Sequence, residues 1–380
     1  MPFNLPIRPD LQRVQRRTFT QKVAVGTPIL SITAVYALGV VLRRALGRPH
    51  PLGWTLHEEL LITLMRTLLT RGDIGVWRAF FRNVSSRKRV PPQVEVTPVA
   101  RPGSRSLWFE LRAPLRPIAP RASLTLLFAH GGAFVAGSAR QYQLTYSVWL
   151  RQLAARGIDC RILSAHYPLA PEHKFPAGRD FVADEMQWLL DPAASGVTGP
   201  VAVGGDSAGA NLVFSALAWL RDNGRLPSPP AACLLVSPAV DMSASCVFSR
   251  TDPEAAAAGA HDYLPRGKIG GALPHLYAER LEDPYVSVAL LDDFGGLASD
   301  LLVTAGGAEL MASDIRAFAK RLRAAAPGRG AVTGAGGGGW SASYLEEPGR
   351  VHSWPMLMLP HLLDKAAPIF DFLERAAGPV

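Results

Sequence analysis

The chain has 380 residues with 48% hydrophobic content, enough for one large α/β domain plus attachments and a sizeable core, which excludes disorder of the whole. Its formal charge of +9 would suit nucleic acid, but most of it sits in the first 50 residues, on Arg8, Arg13, Arg16, Arg17, Lys22, Arg43, Arg44 and Arg48 against Asp10. The remainder is close to neutral and shows neither an interleaved basic and aromatic pattern nor a zinc-finger spacing, so no nucleic-acid partner is expected.

Residues 1–48 read as a basic arm running into a membrane anchor. Val23 to Leu42 carries no charge, and at about 1.5 Å of rise per residue a helix of that length crosses a bilayer core of roughly 30 Å. Lys22 precedes it and Arg43-Arg44 follow directly. The lead-in is too long for an ordinary cleaved signal and no A-x-A-like site follows, so a signal anchor is expected. The flanking basic residues favour a cytoplasmic N-terminus and a single pass through the endoplasmic reticulum membrane, with the catalytic domain lumenal. Asn83-Val84-Ser85 is a glycosylation triplet compatible with that side. Pro28, Ser31 and Thr33 leave open a buried or surface-lying helix instead.

Residues 49–92 read as a helical cap segment. From Trp54 to Leu69 apolar residues recur at helical spacing, with Glu58, Glu59 and Arg66 on the opposite face. After Pro91-Pro92 the pattern of residues 93–380 changes to short β-rich runs alternating with helical segments, the mark of an α/β fold with a mostly parallel central sheet and helices on both faces. Strands are expected at Val94 to Val96, Leu107 to Phe109, Leu124 to Phe128, Asp159 to Leu163, Val201 to Val203, Leu234 to Val236 and Leu301 to Val303. A last one is expected over Trp340 to Leu345, beyond a low-complexity Gly-rich insertion at 327–339. Cys160, Cys233 and Cys246 are too few and too irregularly spaced for a metal cluster or disulfide framework, and read as small buried hydrophobes, with one disulfide open to a domain in an oxidising lumen.

Two motifs carry chemistry. Gly205-Asp206-Ser207-Ala208-Gly209 follows a strand and precedes the helical run Asn211 to Leu220. In that context the small neighbours let a strained turn push the Ser207 hydroxyl out at the top of the sheet, while helix N-terminal amides favour a developing negative charge. His130-Gly131-Gly132-Ala133-Phe134 follows the buried run Leu124 to Ala129. Paired glycines there let the backbone bend so that the N–H groups of Gly131 and Gly132 point into a cavity, and Ala208 N–H would complete an oxyanion hole.

Together with Tyr167-Pro168-Leu169-Ala170-Pro171-Glu172-His173 and Asp283-Pro284-Tyr285-Val286-Ser287, these motifs resemble the hormone-sensitive-lipase branch of the α/β-hydrolases, over roughly Leu124 to the C-terminus. The N-terminal anchor adds a looser similarity to fungal steryl acetyl hydrolases. The resemblance implies an α/β-hydrolase fold, a serine carboxylic-ester hydrolase, N-terminal helices capping the acyl pocket, and a triad in the chain order Ser, acid, His. In that order His352, in Gly349-Arg350-Val351-His352-Ser353-Trp354, is the base. His361, in a helical context after Pro360, is a surface or packing residue. Glu309, in Gly306-Gly307-Ala308-Glu309-Leu310, stands where the family usually has Asp, and Asp314 is its rival. The family usually has Gly where Ala133 stands; the amide survives that change unless the position needs a positive φ, which alanine tolerates badly. In the same reading Glu172 orders the Tyr167 to His173 loop through hydrogen bonds. Such chemistry needs no metal and no organic cofactor. The substrate implied is a small hydrophobic, short-acyl ester. A tailoring esterase or acyltransferase would use the same residues, and a ligand receptor on a hydrolase scaffold remains an alternative from another class.

Overall fold

A computed structural model describes residues 19–117, 120–248, 259–327, 339–357 and 360–378. The basic residues upstream of Phe19 and most of the Gly-rich insertion, 328–338, lie outside the described residues.

Every expected strand forms, in most cases a residue or more longer than its apolar run: β1 (Val94–Pro98), β2 (Leu107–Leu111), β3 (Ala122–Ala129), β4 (Ile158–Ala165), β5 (Val201–Asp206), β6 (Ala232–Val236), β7 (Asp300–Gly306) and β8 (Ser341–Glu347). They build one 8-stranded sheet in the order β1-β2-β4-β3-β5-β6-β7-β8. Pairing is antiparallel from β1 to β2 and from β2 to β4, and parallel from β4 through β8. The central strands are apolar on both faces because both are covered. Helices α5 (Ala177–Leu189), α6 (Ala208–Asp222) and α7 (Ala312–Ala325) supply Met186, Phe214 and Phe318 to one core, and α4 (Gln143–Ala155) and α8 (Ala367–Ala376) supply Trp149 and Phe370 to the other. Because β3, β5, β6, β7 and β8 run parallel, their carboxyl ends share one edge, where open α/β sheets place their ligands. Cys160, Cys233 and Cys246 are buried and no disulfide joins them, so the disulfide left open by the sequence does not form.

Ahead of the sheet stand α1 (Phe19–Ala45), α2 (Leu56–Arg71) and α3 (Ile74–Val84). Helix α1 is longer at both ends than the uncharged run Val23 to Leu42. Its segment Pro28–Ala45 is apolar and long enough to cross a membrane, with only 6% of it buried, and Leu30, Val35, Leu38 and Leu42 are exposed. This fits a membrane span or a signal sequence by length and composition. Thr55 caps α2 through a capping box with Glu58, a feature stabilising helix starts by about 1 kcal/mol.

Glu58, Glu59 and Arg66, on the polar face of α2, are held by partners from elsewhere in the fold. Glu58 pairs with Arg350 and His361, and Glu59 with Arg43 and Arg44, the latter at 2.8 Å. Arg66 donates to the carbonyls of Asp262 and Ala260. Glu58 and Glu59 are thus buried and satisfied by ion pairs, since buried charges persist only when partnered.

Candidate active site

Ser207 sits between the last residue of β5 and the first turn of α6 with φ 52 and ψ −121. A positive φ in a non-glycine residue costs on the order of 1 kcal/mol or more and survives only where neighbours over-determine it. The neighbours here do so. The Ser207 amide donates to Val236 O of β6 at 2.9 Å, and its carbonyl accepts from Asn211 and Ala239. The flanking glycines are required by close approach: a Cβ on Gly205 would lie 2.7 Å from Ala129 O, and one on Gly209 only 2.1 Å from that same atom. The motif therefore encodes contact between the elbow and the end of β3, and it leaves the Ser207 side chain on the wall of a cavity.

His352 follows β8 and Glu309 follows β7, and the two loops are laced by Gly307 N to Glu347 O and Ala308 N to Arg350 O, both 2.9 Å. His352 is 3% and Glu309 2% exposed. His352 Nδ1 lies 3.6 Å from Glu309 Oε2, longer than a formed hydrogen bond, as is common for such pairs before substrate tightens the site. Glu309 Oε2 accepts from the Ser237 hydroxyl at 2.6 Å and the Gly306 amide at 3.3 Å. Ser237 Oγ in turn accepts from the amide of Ser353, so one hydroxyl links the acid to the residue after the histidine. Burial pushes the His352 pKa down, but Glu309 foremost, then Asp262 and Asp206, outweigh it, and the imidazole ends above its ordinary value. Asp314 is elsewhere, in the first turn of α7, where its Oδ2 accepts from Val247 N at 2.7 Å. His361 is not in an α-helix but in a 3-10 turn, with Nε2 3.1 Å from Glu58 Oε2, tying the C-terminal region to the cap.

The turn after β3 corrects one expectation. The Gly131 amide donates to Asp206 Oδ1 at 2.7 Å, so it is committed within the protein and cannot serve an oxyanion. Gly132, Ala133 and Ala208 line the cavity, and their amides have no acceptor among the described residues. Gly132 has φ +133, and a Cβ there would meet Ala136 O at 2.1 Å. Ala133 has φ 52 and Phe134 φ 63: the position does need a positive φ, and alanine adopts it. The stack of Phe134 on Tyr277, with centroids 3.6 Å apart, is one of the contacts holding the strained pair. Burial drives the His130 pKa down to about 3, and its ring stacks on Tyr167 at 4.4 Å.

Asp206 is the site residue that sequence reasoning passed over as the variable letter of its motif. It accepts from Gly131 N, from the Tyr142 hydroxyl at 2.7 Å and from the Ser353 hydroxyl at 3.1 Å, joining the turn after β3, the elbow and the loop of His352. Burial pushes its pKa up to about 6 against the pull of these donors. An acidic residue at the strand end, between Gly205 and Ser207, was the available signal.

A model of the alpha/beta hydrolase fold family matches residues 126–332. An esterase of Acinetobacter venetianus is 29% identical over 238 residues, covering 62% of this chain and 70% of that protein. An acetyl-hydrolase of Streptomyces hygroscopicus is 34% identical over 120 residues, covering 31% of this chain and 37% of that one. The crystal structure of an esterase from the bacterial hormone-sensitive lipase family aligns with a TM-score of 0.66 and 27% identity, over 86% of this chain and 99% of that one. The chain belongs to the α/β-hydrolase fold family, in its hormone-sensitive-lipase branch. It is an enzyme of the carboxylic-ester-hydrolase class.

The hydrolase encloses its site in a cavity of about 650 Å³, with Ser207, His352 and Asp206 among its lining and apolar side chains over most of the rest. The cap helices supply Leu61, Met65 and Leu69 from α2 and Trp77, Phe80 and Phe81 from α3. His57, Leu61, Met65 and Leu69 recur every four residues, so one stripe of α2 faces the cavity. The opposite stripe, with Glu59, Ile62, Thr63 and Arg66, faces Tyr36, Gly39, Val40 and Arg43 of α1 across a second recess. The cap is fastened at several points: Trp54 Nε1 donates to Gly349 O at 2.7 Å, and Arg78 bonds Val135 O, Ala170 O and the Glu172 carboxylate. Glu172 orders its loop by holding α3 against the turn after β3.

Proposed function

We propose that this hydrolase cleaves hydrophobic carboxylic esters of short, acetyl-type acids through an acyl-enzyme on Ser207. The observation that carries the reading is the strained Ser207 elbow on the wall of a large apolar cavity that also holds His352, backed by Glu309 at 3.6 Å. As the Ser207 oxygen attacks the ester carbonyl, its proton passes to His352 Nε2 while Glu309 holds the proton on Nδ1 and stabilises the imidazolium. The carbonyl oxygen, now negative, is held by the amides of Gly132, Ala133 and Ala208. Collapse breaks the bond to the alcohol, which leaves with the His352 proton. Water, deprotonated by the same imidazole, then releases the acid.

Apolar cap side chains favour a bulky hydrophobic alcohol. The exposed apolar α1, packed on the outer face of α2, would hold that cap at a membrane where such an alcohol is concentrated. Hydrolysis of p-nitrophenyl esters across acyl lengths, with acetates of apolar alcohols as a second series, tests the substrate class. Acetyl and butyryl esters should exceed octanoyl and longer ones by at least about tenfold in kcat/KM, a difference worth about 1.4 kcal/mol of barrier. A rate rising steadily with acyl length would reverse the assignment of the large cavity from alcohol to acyl group.

The pH dependence follows from the base. Only neutral His352 can take the proton, and its pKa in the folded protein is raised above the ordinary 6.5. The acid limb of kcat/KM, which reports the free enzyme, should therefore have its midpoint above pH 6.5. A midpoint well below that value would mean that the carboxylates around His352 do not act on it.

A further inference from the structure

We propose that Asp262 is a positioning residue of this reaction, whose carboxylate ties the loop carrying His352 to the loop carrying Glu309 and so sets the approach of the imidazole to its acid. The proposal rests on the assignment of His352 and Glu309 given above. Asp262 lies between β6 and β7 in sequence, is 1% exposed, and takes no part in the proton transfers. Its two oxygens are divided between the loops: Oδ2 accepts from the amide of Leu310, the residue after Glu309, at 2.8 Å, and Oδ1 accepts from the amide of His352 at 3.2 Å. Oδ1 also accepts from the Tyr263 amide at 2.8 Å.

Tyr263 completes the grip. Its hydroxyl donates to the His352 carbonyl at 2.9 Å, so consecutive residues hold both backbone polar groups of the base. The bonds from Gly307 and Ala308 across to the histidine loop secure the roots of the two loops; Asp262 reaches their functional ends. Burying a carboxylate is costly, and the three amide donors of Leu310, His352 and Tyr263 offset that cost. Geometry at such a relay matters because a displacement of about 1 Å can cost on the order of 100-fold in rate.

The carboxylate also contributes charge. The groups facing the imidazole are Glu309 from the loop after β7, Asp206 from β5, and Asp262 with Tyr263 from the segment before β7. Loss of one negative charge among them should move the acid limb to lower pH, which loss of mere packing would not do.

The test compares Asp262→Asn, Asp262→Glu and Tyr263→Phe with wild type on a short-chain p-nitrophenyl ester, with His352→Ala as control. Asparagine keeps the volume but sets an NH2 group against one of the amides. Asp262→Asn should lower kcat about 10- to 100-fold with KM within about threefold, and shift the acid limb to lower pH. Asp262→Glu should retain the limb. Tyr263→Phe should lower kcat about threefold or more, consistent with loss of one hydrogen bond. Wild-type kcat in Asp262→Asn, or a loss with an unmoved limb, would overturn the proposal; if that variant does not fold, unchanged kcat in Tyr263→Phe would overturn it. Full turnover in the His352→Ala control would instead remove the base assignment on which the proposal stands.

Discussion

Ser207→Ala should lose at least about four orders of magnitude in kcat on short-chain esters while keeping its fold, because removal of the nucleophile in such a relay costs on the order of 10⁶ and leaves only the oxyanion hole and binding. The change should be structurally mild. The bonds that define the elbow are made by the Ser207 backbone, to Val236, Asn211 and Ala239. Alanine already occupies φ 52 at Ala133, the same value as at Ser207, so the backbone cost of the substitution is close to nil. Hydrolysis of p-nitrophenyl acetate alongside a thermal melt checks both halves of the expectation; a folded variant within tenfold of wild type would remove Ser207 from the reaction.

Glu309→Gln should cost about 10³- to 10⁴-fold in kcat, and Asp314→Asn less than about twofold. Glutamine preserves the volume of the buried acid and can still accept the Ser237 hydroxyl bond. What it loses is the charge that stabilises the imidazolium, and the analogous Asp to Asn change of a serine protease costs about 10⁴-fold. Removing that charge should also carry the acid limb downward, since Glu309 is the leading group raising the His352 pKa. Asp314 serves Val247 N, and an asparagine oxygen accepts that bond equally well. Steady-state rates of the two variants decide between the acids, and the reverse ranking would transfer the role to Asp314.

What could be read from the sequence is what short range determines. Apolar runs of strand length, interrupted by glycine and followed by helical periods, foretold the sheet and the parallel order of its centre. The elbow was legible because its glycines are required within five consecutive residues. Gly131 was misread because its amide is consumed by Asp206, a residue 75 positions away whose contact no local pattern announces. The burial of Glu58 and Glu59 was not legible for a related reason. A helical period tells which residues share a face, and only the tertiary partners Arg350, Arg43 and Arg44 reveal that these two are buried. Ser237 and Asp262 carried no signal at all, being single polar residues in loops whose roles depend on where β7 and β8 end. At Ala133 the sequence raised the right question, whether φ is positive, and the backbone supplied the answer at 52.

The positions of Ser207, His352 and Glu309 relative to one cavity support a relay in which the imidazole activates the hydroxyl. Labelling the folded protein with a fluorophosphonate, and locating the adduct by peptide mass spectrometry in wild type and in His352→Ala, tests this most directly. The account predicts a single adduct on Ser207 that forms at least about a thousandfold more slowly without the imidazole. An unlabelled Ser207, or labelling at the wild-type rate in His352→Ala, would contradict it.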